Sequence, residues 1–278
     1  MRIHAIQTGT VAVKSRQPRG AGRGSMRLVN TLRDPEWTEP LPILAWAIEH
    51  PEGLIVVDTG DTSRTAEPGY FPRWHPYYRL GARISVTPDQ EIGPALERLG
   101  LSAADARWVV LTHLHTDHAG GLAHFPNSEI LVSRRELEYA SGKLGILRGY
   151  LPHRWPDWFS PTTVALPAAP FGPLERSRPL TSSGDVTLLG TPGHTPGHIS
   201  VAVDLGAQLV ILAGDASYSE PLMLEEAADG VTRDPATARA TLRALHSLTA
   251  GRPSVYLPTH DPESQTRLAS IQSQESTI

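Results

Sequence analysis

The sequence contains no cysteine among its 278 residues. This absence excludes disulfides, cysteine-ligated zinc sites, iron–sulfur clusters and thiol nucleophiles. Basic residues are not in excess either, with 25 Lys and Arg against 29 Asp and Glu, which gives a net charge of −4. That balance argues against a nucleic-acid or anionic-membrane partner, since both require a basic face. Any bound metal must be held by carboxylates and by some of the 12 histidines.

Long hydrophobic runs are also missing. The run at residues 209–213 is typical, and it is far shorter than the ~20 apolar residues that a membrane span needs. Residues 1–7 lack the apolar region of a secretory signal, which favours a cytoplasmic protein. The length fits about two domains of ~150 residues or one large α/β unit.

Short runs rich in Val, Ile and Leu alternate along the chain with helical patterns. Such an order favours an α/β sandwich built from two similar halves. Strands are predicted at residues 3–13, 43–49, 54–57, 108–111, 130–132, 186–189, 199–203 and 209–212. Helices are predicted from Thr87 to Gly100 and at residues 133–141, 234–249 and 262–271.

Three irregular segments interrupt this pattern. Residues 15–37 are rich in Gly, Arg and Pro, whereas residues 69–79 and 150–159 are rich in aromatic side chains. Two interpretations stay open for these segments. They are loops that pack their aromatic rings onto the body, or they form an apolar substrate pocket or a dimer contact.

The strongest chemical signal is the run THLHTDHAGG at residues 112–121. It follows the predicted strand 108–111, at the strand end where α/β folds place their sites. His113 and His115 point the same way in an extended chain and can bind one metal ion. Asp117 and His118 can face a second ion after the chain turns. Four potential ligands within six residues, followed by two glycines that permit close backbone approach, indicate a metal site.

Three more candidate ligands each follow a predicted strand. His194 lies in TPGHTPGH, Asp215 lies in AGDA, and His260 lies in PTHD after a strand at 255–257. Zinc prefers four or five ligands with one position left for water, so these residues would complete two sites. His198, four residues after His194, is either a further ligand or a structural histidine at the start of the next strand, and its position favours the second interpretation.

The series HxHxDH, TPGHTPGH, GDA and PTH resembles the motifs of the metallo-β-lactamase superfamily, and the matches extend from Asp58 to His260. The resemblance implies one domain over residues 1–278, an αββα sandwich of two mixed β-sheets flanked by helices. It also implies two divalent metal ions, with zinc expected and Mn²⁺, Fe²⁺ or Co²⁺ compatible. By this resemblance His113, His115 and His194 bind metal 1, Asp117, His118 and His260 bind metal 2, Asp215 bridges the two, and Asp58 orients the ligands.

Tyr218, three residues after Asp215, narrows the resemblance to the acyl-homoserine lactone lactonases, the quorum-quenching branch. This resemblance implies a hydrolase that opens lactone rings of small-molecule substrates. A bridging hydroxide attacks the ring carbonyl, Tyr218 stabilises the oxyanion, and Asp117 protonates the released alcohol. An insertion at about residues 61–90 would form the acyl pocket and a homodimer contact. The acyl-chain contacts that the resemblance implies are Met26, Phe71 and Trp74.

Three alternatives remain open from the sequence. Tyr218 is also consistent with a tyrosine packed in a loop. The site also suits a phosphotriester or another ester as substrate, because two-metal sites polarise phosphoryl as well as acyl oxygens. A binding module without enzymatic activity is disfavoured, since all seven expected ligands are present.

Overall fold

Two β-sheets stack face to face in the computed structural model, which describes residues 1–24 and 26–275, with side chains as far as residue 271. The first sheet comprises β1 (Arg2–Val13), β2 (Leu41–Glu49), β3 (Leu54–Val57), β4 (Ala82–Ser85), β5 (Ala106–Val110), β6 (Glu129–Ser133) and β7 (Thr162–Val164), in the order β4-β1-β2-β3-β5-β6-β7. The second comprises β8 (Ser177–Pro179), β9 (Val186–Gly190), β10 (Ile199–Asp204), β11 (Leu209–Gly214) and β12 (Ser254–Pro258), in the order β12-β11-β10-β9-β8.

Helices cover the outer faces of both sheets. The α-helices of the described ranges are α1 (Met26–Leu32), α2 (Pro76–Leu80), α3 (Ile92–Arg98), α4 (Thr116–Ala119), α5 (Arg134–Ser141), α6 (Glu220–Leu224), α7 (Pro235–Gly251) and α8 (Ser264–Glu275). Short 3-10 helices lie at Ser63–Ala66, Pro88–Gln90, Ala103–Asp105, Leu122–His124, Ile146–Arg148 and Pro152–Arg154. No helix among the described residues is long and apolar enough to span a bilayer.

Alternating side chains on the central strands divide the core into layers. On β2, Trp46 faces the second sheet and packs in one cluster with Val201 and Leu212, whereas Ala45 and Ala47 face the outer helices. The outer face of the first sheet is covered by α3 and α5, and that of the second sheet by α6 and α7. Successive side chains of a strand point to opposite faces of its sheet, and both faces are buried here. The sheets therefore need helices on their outer sides. The predicted αββα sandwich is confirmed.

Both sheets are mixed. In the first sheet β1, β2 and β3 pair antiparallel, whereas β3, β5, β6 and β7 pair parallel. In the second sheet β11 and β12 pair parallel, and the remaining neighbours pair antiparallel. The parallel pairs matter for the site, because they bring the carboxyl ends of their strands to the same edge.

Edge elements account for most differences from the sequence prediction. Strands β4, β7 and β8 were not predicted, because they are three or four residues long and only partly buried. The helix predicted from Thr87 instead begins at Ile92, after the 3-10 turn Pro88–Gln90. Thr87 and Gln90 form a capping box that begins this turn, and the backbone of Glu91, with ψ of 152°, separates the turn from α3.

The predicted insertion at residues 61–90 contains two 3-10 turns, α2 and β4. Strand β4 pairs with the end of β1 and so becomes the edge of the first sheet. The organisation of the chain as one domain with two similar halves stays a prediction.

Backbone hydrogen bonds join the two sheets at the edge where β3, β5, β11 and β12 end. The amide of Ile199 donates to the carbonyl of Thr112 at 3.0 Å, and the amide of Leu44 donates to the carbonyl of Thr259 at 3.2 Å. Within the second sheet, the amide of Thr259 donates to Gly214 at 3.1 Å. These bonds fix the strand ends of both sheets relative to one another, so side chains that follow them are brought together.

Candidate functional site

Three histidines converge after β5 and β9. The Nδ1 atom of His115 lies 3.0 Å from Nε2 of His113 and 3.2 Å from Nε2 of His194. All three offer a ligand atom to the same small volume, because these atoms lie within 4.8 Å of one another. The structure thus brings together the three residues that the sequence assigns to one metal ion.

A second group adjoins the first. His118, His260 and Asp117 each direct a ligand atom toward one point, and Nε2 of His260 lies 3.4 Å from Oδ2 of Asp117. Asp215 lies between the groups. Its Oδ1 is 3.3 Å from Nε2 of His118 and 3.4 Å from Nε2 of His260, whereas its Oδ2 is 3.5 Å from Nε2 of His194. One carboxylate therefore faces both groups with different oxygens.

Unpartnered buried atoms test whether these residues fit metal ions. Nε2 of His118 and Oδ1 of Asp215 are buried and have no hydrogen-bond partner in the described part of the chain. Buried polar atoms are almost always satisfied, so these two unpartnered atoms, which lie 3.3 Å apart, need a further explanation. A divalent cation between them satisfies both, and nitrogen and carboxylate donors suit zinc or a neighbouring transition metal. The residues fit a two-metal site.

The protonation states of the candidate ligands suit the binding of a cation. Burial, together with the neighbouring imidazoles, lowers the pKa of His113 well below its usual range and that of His115 to about 4. Both rings are therefore neutral at pH 7 and keep a lone pair for a metal ion. Burial opposes ionisation of Asp117, but His118 and His260 outweigh it and lower the pKa of that carboxyl to about 2. The carboxylate is thus ionised.

Asp58 positions the second group from behind. Its Oδ2 lies 2.8 Å from Nδ1 of His118 and accepts a hydrogen bond from Oγ1 of Thr112 at 2.8 Å, and its Oδ1 accepts from the Thr112 amide. Asp58 has a positive φ of 59° directly after β3, a conformation that Asp tolerates better than most residues. The carboxylate fixes the ring of His118 so that Nε2 points toward Asp215.

His198 lies beside the site and orients a ligand. Its Nε2 accepts a hydrogen bond from the amide of Asp215 at 3.0 Å, and its Nδ1 lies 3.1 Å from the carbonyl of Thr191. Burial and the adjacent His194 lower the pKa of His198 to about 3, so the ring is neutral. With both nitrogens engaged, this histidine takes the structural role that the sequence favours.

Two buried acids that the sequence analysis missed support the ligands. Asp229 places Oδ2 at 2.9 Å from Nδ1 of His194. Glu136, on α5, accepts from the amide of Leu114 and from Oγ1 of Thr195 and so connects both histidine loops. No local pattern reveals Asp229, because it follows no strand. Glu136 was missed because it lies in an amphipathic helix, where a glutamate is a common residue.

Asp61 was also missed, and it explains the first of the two glycines of the histidine motif. Its Oδ2 accepts from Oγ1 of Thr116 at 3.0 Å. A Cβ atom at Gly120 would come within 2.4 Å of Oδ1 of Asp61. Burial and the nearby Asp117 raise the pKa of Asp61 to about 7. Gly120 thus permits close approach to the turn after β3, which holds α4 in place.

Substituting the two supporting carboxylates separately should distinguish the two groups. Asp58→Asn should weaken zinc binding about tenfold at the group that contains His118, and Asp229→Asn should do so at the group that contains His194. The reason is that a neutral amide orients an imidazole less strongly than a carboxylate does. Zinc titration against a chromophoric chelator measures both equivalents. Asp185→Asn is the control, since Asp185 lies 3.2 Å from the imidazole of His50, outside the site. Equal weakening of both equivalents by each variant would contradict the assignment.

An apolar cleft of about 850 Å³, including its open mouth, leads to the histidine clusters. Asp117, Asp215 and Tyr218 lie on its wall, together with Val11, Val13, Leu28, Leu32, Ala82, Ile84 and Tyr77. The ring of Tyr218 stacks on that of His260 at 5.3 Å. Segments 15–37 and 69–79 both contribute to the wall, in agreement with the pocket interpretation of these segments.

The three predicted acyl-chain contacts do not line this cleft in the described structure. Met26 and Trp74 are 51% and 57% exposed, and Phe71 stacks on Tyr78 from outside. Their neighbours Leu28 and Tyr77 line it instead. Both segments line the cleft with side chains other than Met26, Phe71 and Trp74, because helices α1 and α2 determine which residues face inward.

Comparisons with known proteins agree with this geometry. The sequence profile described as the metallo-beta-lactamase superfamily matches residues 38–260. The N-acyl homoserine lactonase AttM of Rhizobium radiobacter is 26% identical over 279 residues, covering 95% of this chain and 94% of the relative. An N-acyl homoserine lactonase of a Bacillus species is 31% identical over 194 residues, covering 69% of this chain and 70% of the relative.

A solved structure shares the fold. A variant of Bacillus thuringiensis AiiA, with N-decanoyl-L-homoserine bound at its active site, superposes with a TM-score of 0.76 at 24% identity and covers 95% of this chain and 94% of that one. The profile match extends over most of the chain and contains all seven candidate ligands. The protein therefore belongs to the metallo-beta-lactamase superfamily.

Proposed function

We propose that this protein is a two-metal hydrolase that opens lactone rings, with N-acyl homoserine lactones as its substrates. The observation that carries the proposal is the position of Asp215 between the two ligand groups, at the base of an apolar cleft that Tyr218 also lines. The apolar walls suit an acyl chain, and the polar base suits the lactone ring. Relatives named N-acyl homoserine lactonase support this substrate class.

Two zinc ions are the proposed metals. His113, His115 and His194 would hold one ion, Asp117, His118 and His260 would hold the other, and Asp215 would contact both. Two such ions supply Lewis acidity toward a carbonyl oxygen and lower the pKa of water at the site. This chemistry needs no serine or cysteine nucleophile, which agrees with a chain that lacks cysteine.

The chain's own groups bind the substrate and move its protons. Tyr218 places a neutral hydroxyl in the cleft, since burial raises the pKa of its phenol well above the usual range. A neutral phenol can donate to the carbonyl oxygen as negative charge develops there. Asp117 is ionised and lines the same cleft, so its carboxylate can accept a proton from the attacking water and pass it to the departing ring oxygen, which leaves as the alcohol.

Elemental analysis combined with a lactone-opening assay tests the proposal. We expect two zinc ions per chain and a kcat/KM on N-acyl homoserine lactones at least about a hundredfold above that on phosphotriesters of the paraoxon type, measured by pH-stat. Chelation should abolish the activity, and added zinc should restore it. A higher kcat/KM on the phosphotriesters would replace the lactonase assignment with the alternative. Hydrolysis that is independent of metal content would overturn the two-metal scheme. The homodimer stays a prediction.

A further inference from the structure

The side-chain amide nitrogen of Gln17 forms hydrogen bonds with two tyrosine hydroxyls. Its Nε2 lies 2.6 Å from the phenol oxygen of Tyr218 and 2.8 Å from that of Tyr77. Gln17 is fully buried, and its Oε1 has no hydrogen-bond partner among the described residues. These three side chains, which we call the amide–tyrosine triad, line the cleft beside Asp117 and Asp215.

The orientation of the amide follows from hydrogen-bond accounting. With Nε2 toward the tyrosines, both N–H groups of Gln17 donate, and only the carbonyl oxygen is left without a partner. The reversed amide would leave both N–H groups unsatisfied in a buried environment. Unsatisfied buried N–H groups are rarer than under-satisfied carbonyl oxygens, so the observed orientation is the more stable one. Gln17 is the donor, and both phenol oxygens are acceptors.

A phenol oxygen that accepts from Gln17 keeps its own hydrogen for another partner. In the described structure neither Tyr77 nor Tyr218 uses its hydroxyl hydrogen on another protein group. Tyr78, the neighbour of Tyr77, differs, because its hydroxyl donates to the carbonyl of Gly149 at 2.5 Å. Two free donors therefore lie side by side on the cleft wall, both available to a ligand.

The two hydroxyls reach this point of the cleft wall from different elements. Tyr218 follows Asp215 closely and stacks on the imidazole of His260, so its hydroxyl is beside the ligand groups. Tyr77 belongs to α2 and lies on the wall that Val13 and Ile84 make apolar. An N-acyl homoserine lactone carries two carbonyl oxygens, one on the ring and one on the amide that begins the acyl chain, separated by one carbon and one nitrogen. The pair of donors matches this pair of acceptors.

We propose that Gln17 is a positioning residue that frees both hydroxyls, and that Tyr77 donates to the carbonyl oxygen of the acyl amide while Tyr218 serves the ring carbonyl. This inference rests on the proposed lactonase function. Tyr77 thereby selects N-acylated lactones over lactones with a plain alkyl chain.

Paired substrates test this assignment on the zinc-loaded enzyme. We compare kcat/KM for an N-acyl homoserine lactone with kcat/KM for an α-alkyl-γ-butyrolactone of matched chain length. Tyr77→Phe should lower the ratio of these two values about tenfold, mainly through KM of the N-acyl substrate, the loss of one hydrogen bond. Tyr218→Phe should lower kcat/KM for both substrates and leave the ratio of the two values unchanged. Tyr78→Phe is the matched control for removing a phenol oxygen from α2, and it should also keep the ratio.

Gln17→Glu tests the direction of the hydrogen bonds with almost no change in size. A carboxylate accepts only, so it would capture both phenol hydrogens, and the variant should lower the ratio as Tyr77→Phe does and kcat as Tyr218→Phe does. Melting temperature and zinc content accompany each variant. Gln17→Glu with wild-type kinetics, or Tyr77→Phe with an unchanged ratio, would overturn the inference but leave the lactonase proposal standing. A wild-type enzyme that opens neither lactone would overturn both.

Discussion

Asp215→Ala should remove bound zinc and lactone hydrolysis together, with kcat/KM lowered by at least about a thousandfold, or about 4 kcal/mol of transition-state stabilisation. The reason is the position of this carboxylate between both ligand groups, with Oδ1 facing His118 and His260 and Oδ2 facing His194. No other candidate ligand contacts both groups with separate atoms among the described residues. Metal content by elemental analysis and turnover by pH-stat are measured on the same preparation.

Asp204→Ala serves as the control for Asp215→Ala. Asp204 ends β10 in the same sheet, but its carboxylate pairs with Arg252, away from the site. The control should keep two zinc ions and the wild-type rate. The backbone bond from residue 215 to His198 does not depend on the side chain, so the variant retains that contact. If Asp215→Ala hydrolysed lactones at the wild-type rate after chelation, the two-metal scheme would be wrong.

Tyr218→Phe should lower kcat about ten- to a hundredfold on every lactone, or about 1.4 to 2.7 kcal/mol, while KM changes little. The hydroxyl donates to an oxygen whose charge grows in the transition state, so its loss affects the rate of the chemical step more than binding. Steady-state kinetics with an N-acyl and an alkyl lactone separates the two constants.

Tyr256→Phe is the matched control for Tyr218→Phe. The hydroxyl of Tyr256 forms a hydrogen bond with Oγ of Ser217, the residue before Tyr218, at 3.0 Å. Tyr256 itself lies in the helix-covered core of the second sheet and not on the cleft wall. The control should lower the melting temperature and leave kcat within about twofold. If Tyr218→Phe changed only the melting temperature, Tyr218 would be a packing residue of the cluster that contains Val11 and Val13.

The site residues that the sequence predicted share one property, which is that each lies close to the end of a β-strand. His113, Asp215 and His260 each come within a few residues of a buried β-strand, and strand periodicity is a strong local signal. Parallel pairing brings the ends of β11 and β12 together, and backbone hydrogen bonds between the two sheets bring them to the end of β5. The alternation of strand and helix patterns along the chain predicted the α/β sandwich, because sheets and helices of such a chain pack in layers.

Residues that support the ligands carry no such signal. Asp229 reaches His194 across 35 residues, and Gln17 reaches Tyr218 across 201 residues. Each is an ordinary polar residue in its local sequence, and only the packing of distant segments makes it a partner. The position of Met26 and Trp74 outside the cleft lining has the same origin, because the rotation of a short helix about its axis is set by tertiary contacts and not by composition.

The sequence by itself determined the layered fold, the identity of the candidate ligands and the exclusion of thiol chemistry. These features depend on periodicity, on residue type and on the absence of cysteine, all of which are local properties of the chain. Only the tertiary structure decided which oxygen of Asp215 faces which group, which buried carboxylates orient the imidazoles, and which hydroxyls are free to donate. Those features are hydrogen bonds between segments far apart in sequence, so their distances and directions exist only after the two sheets have packed together.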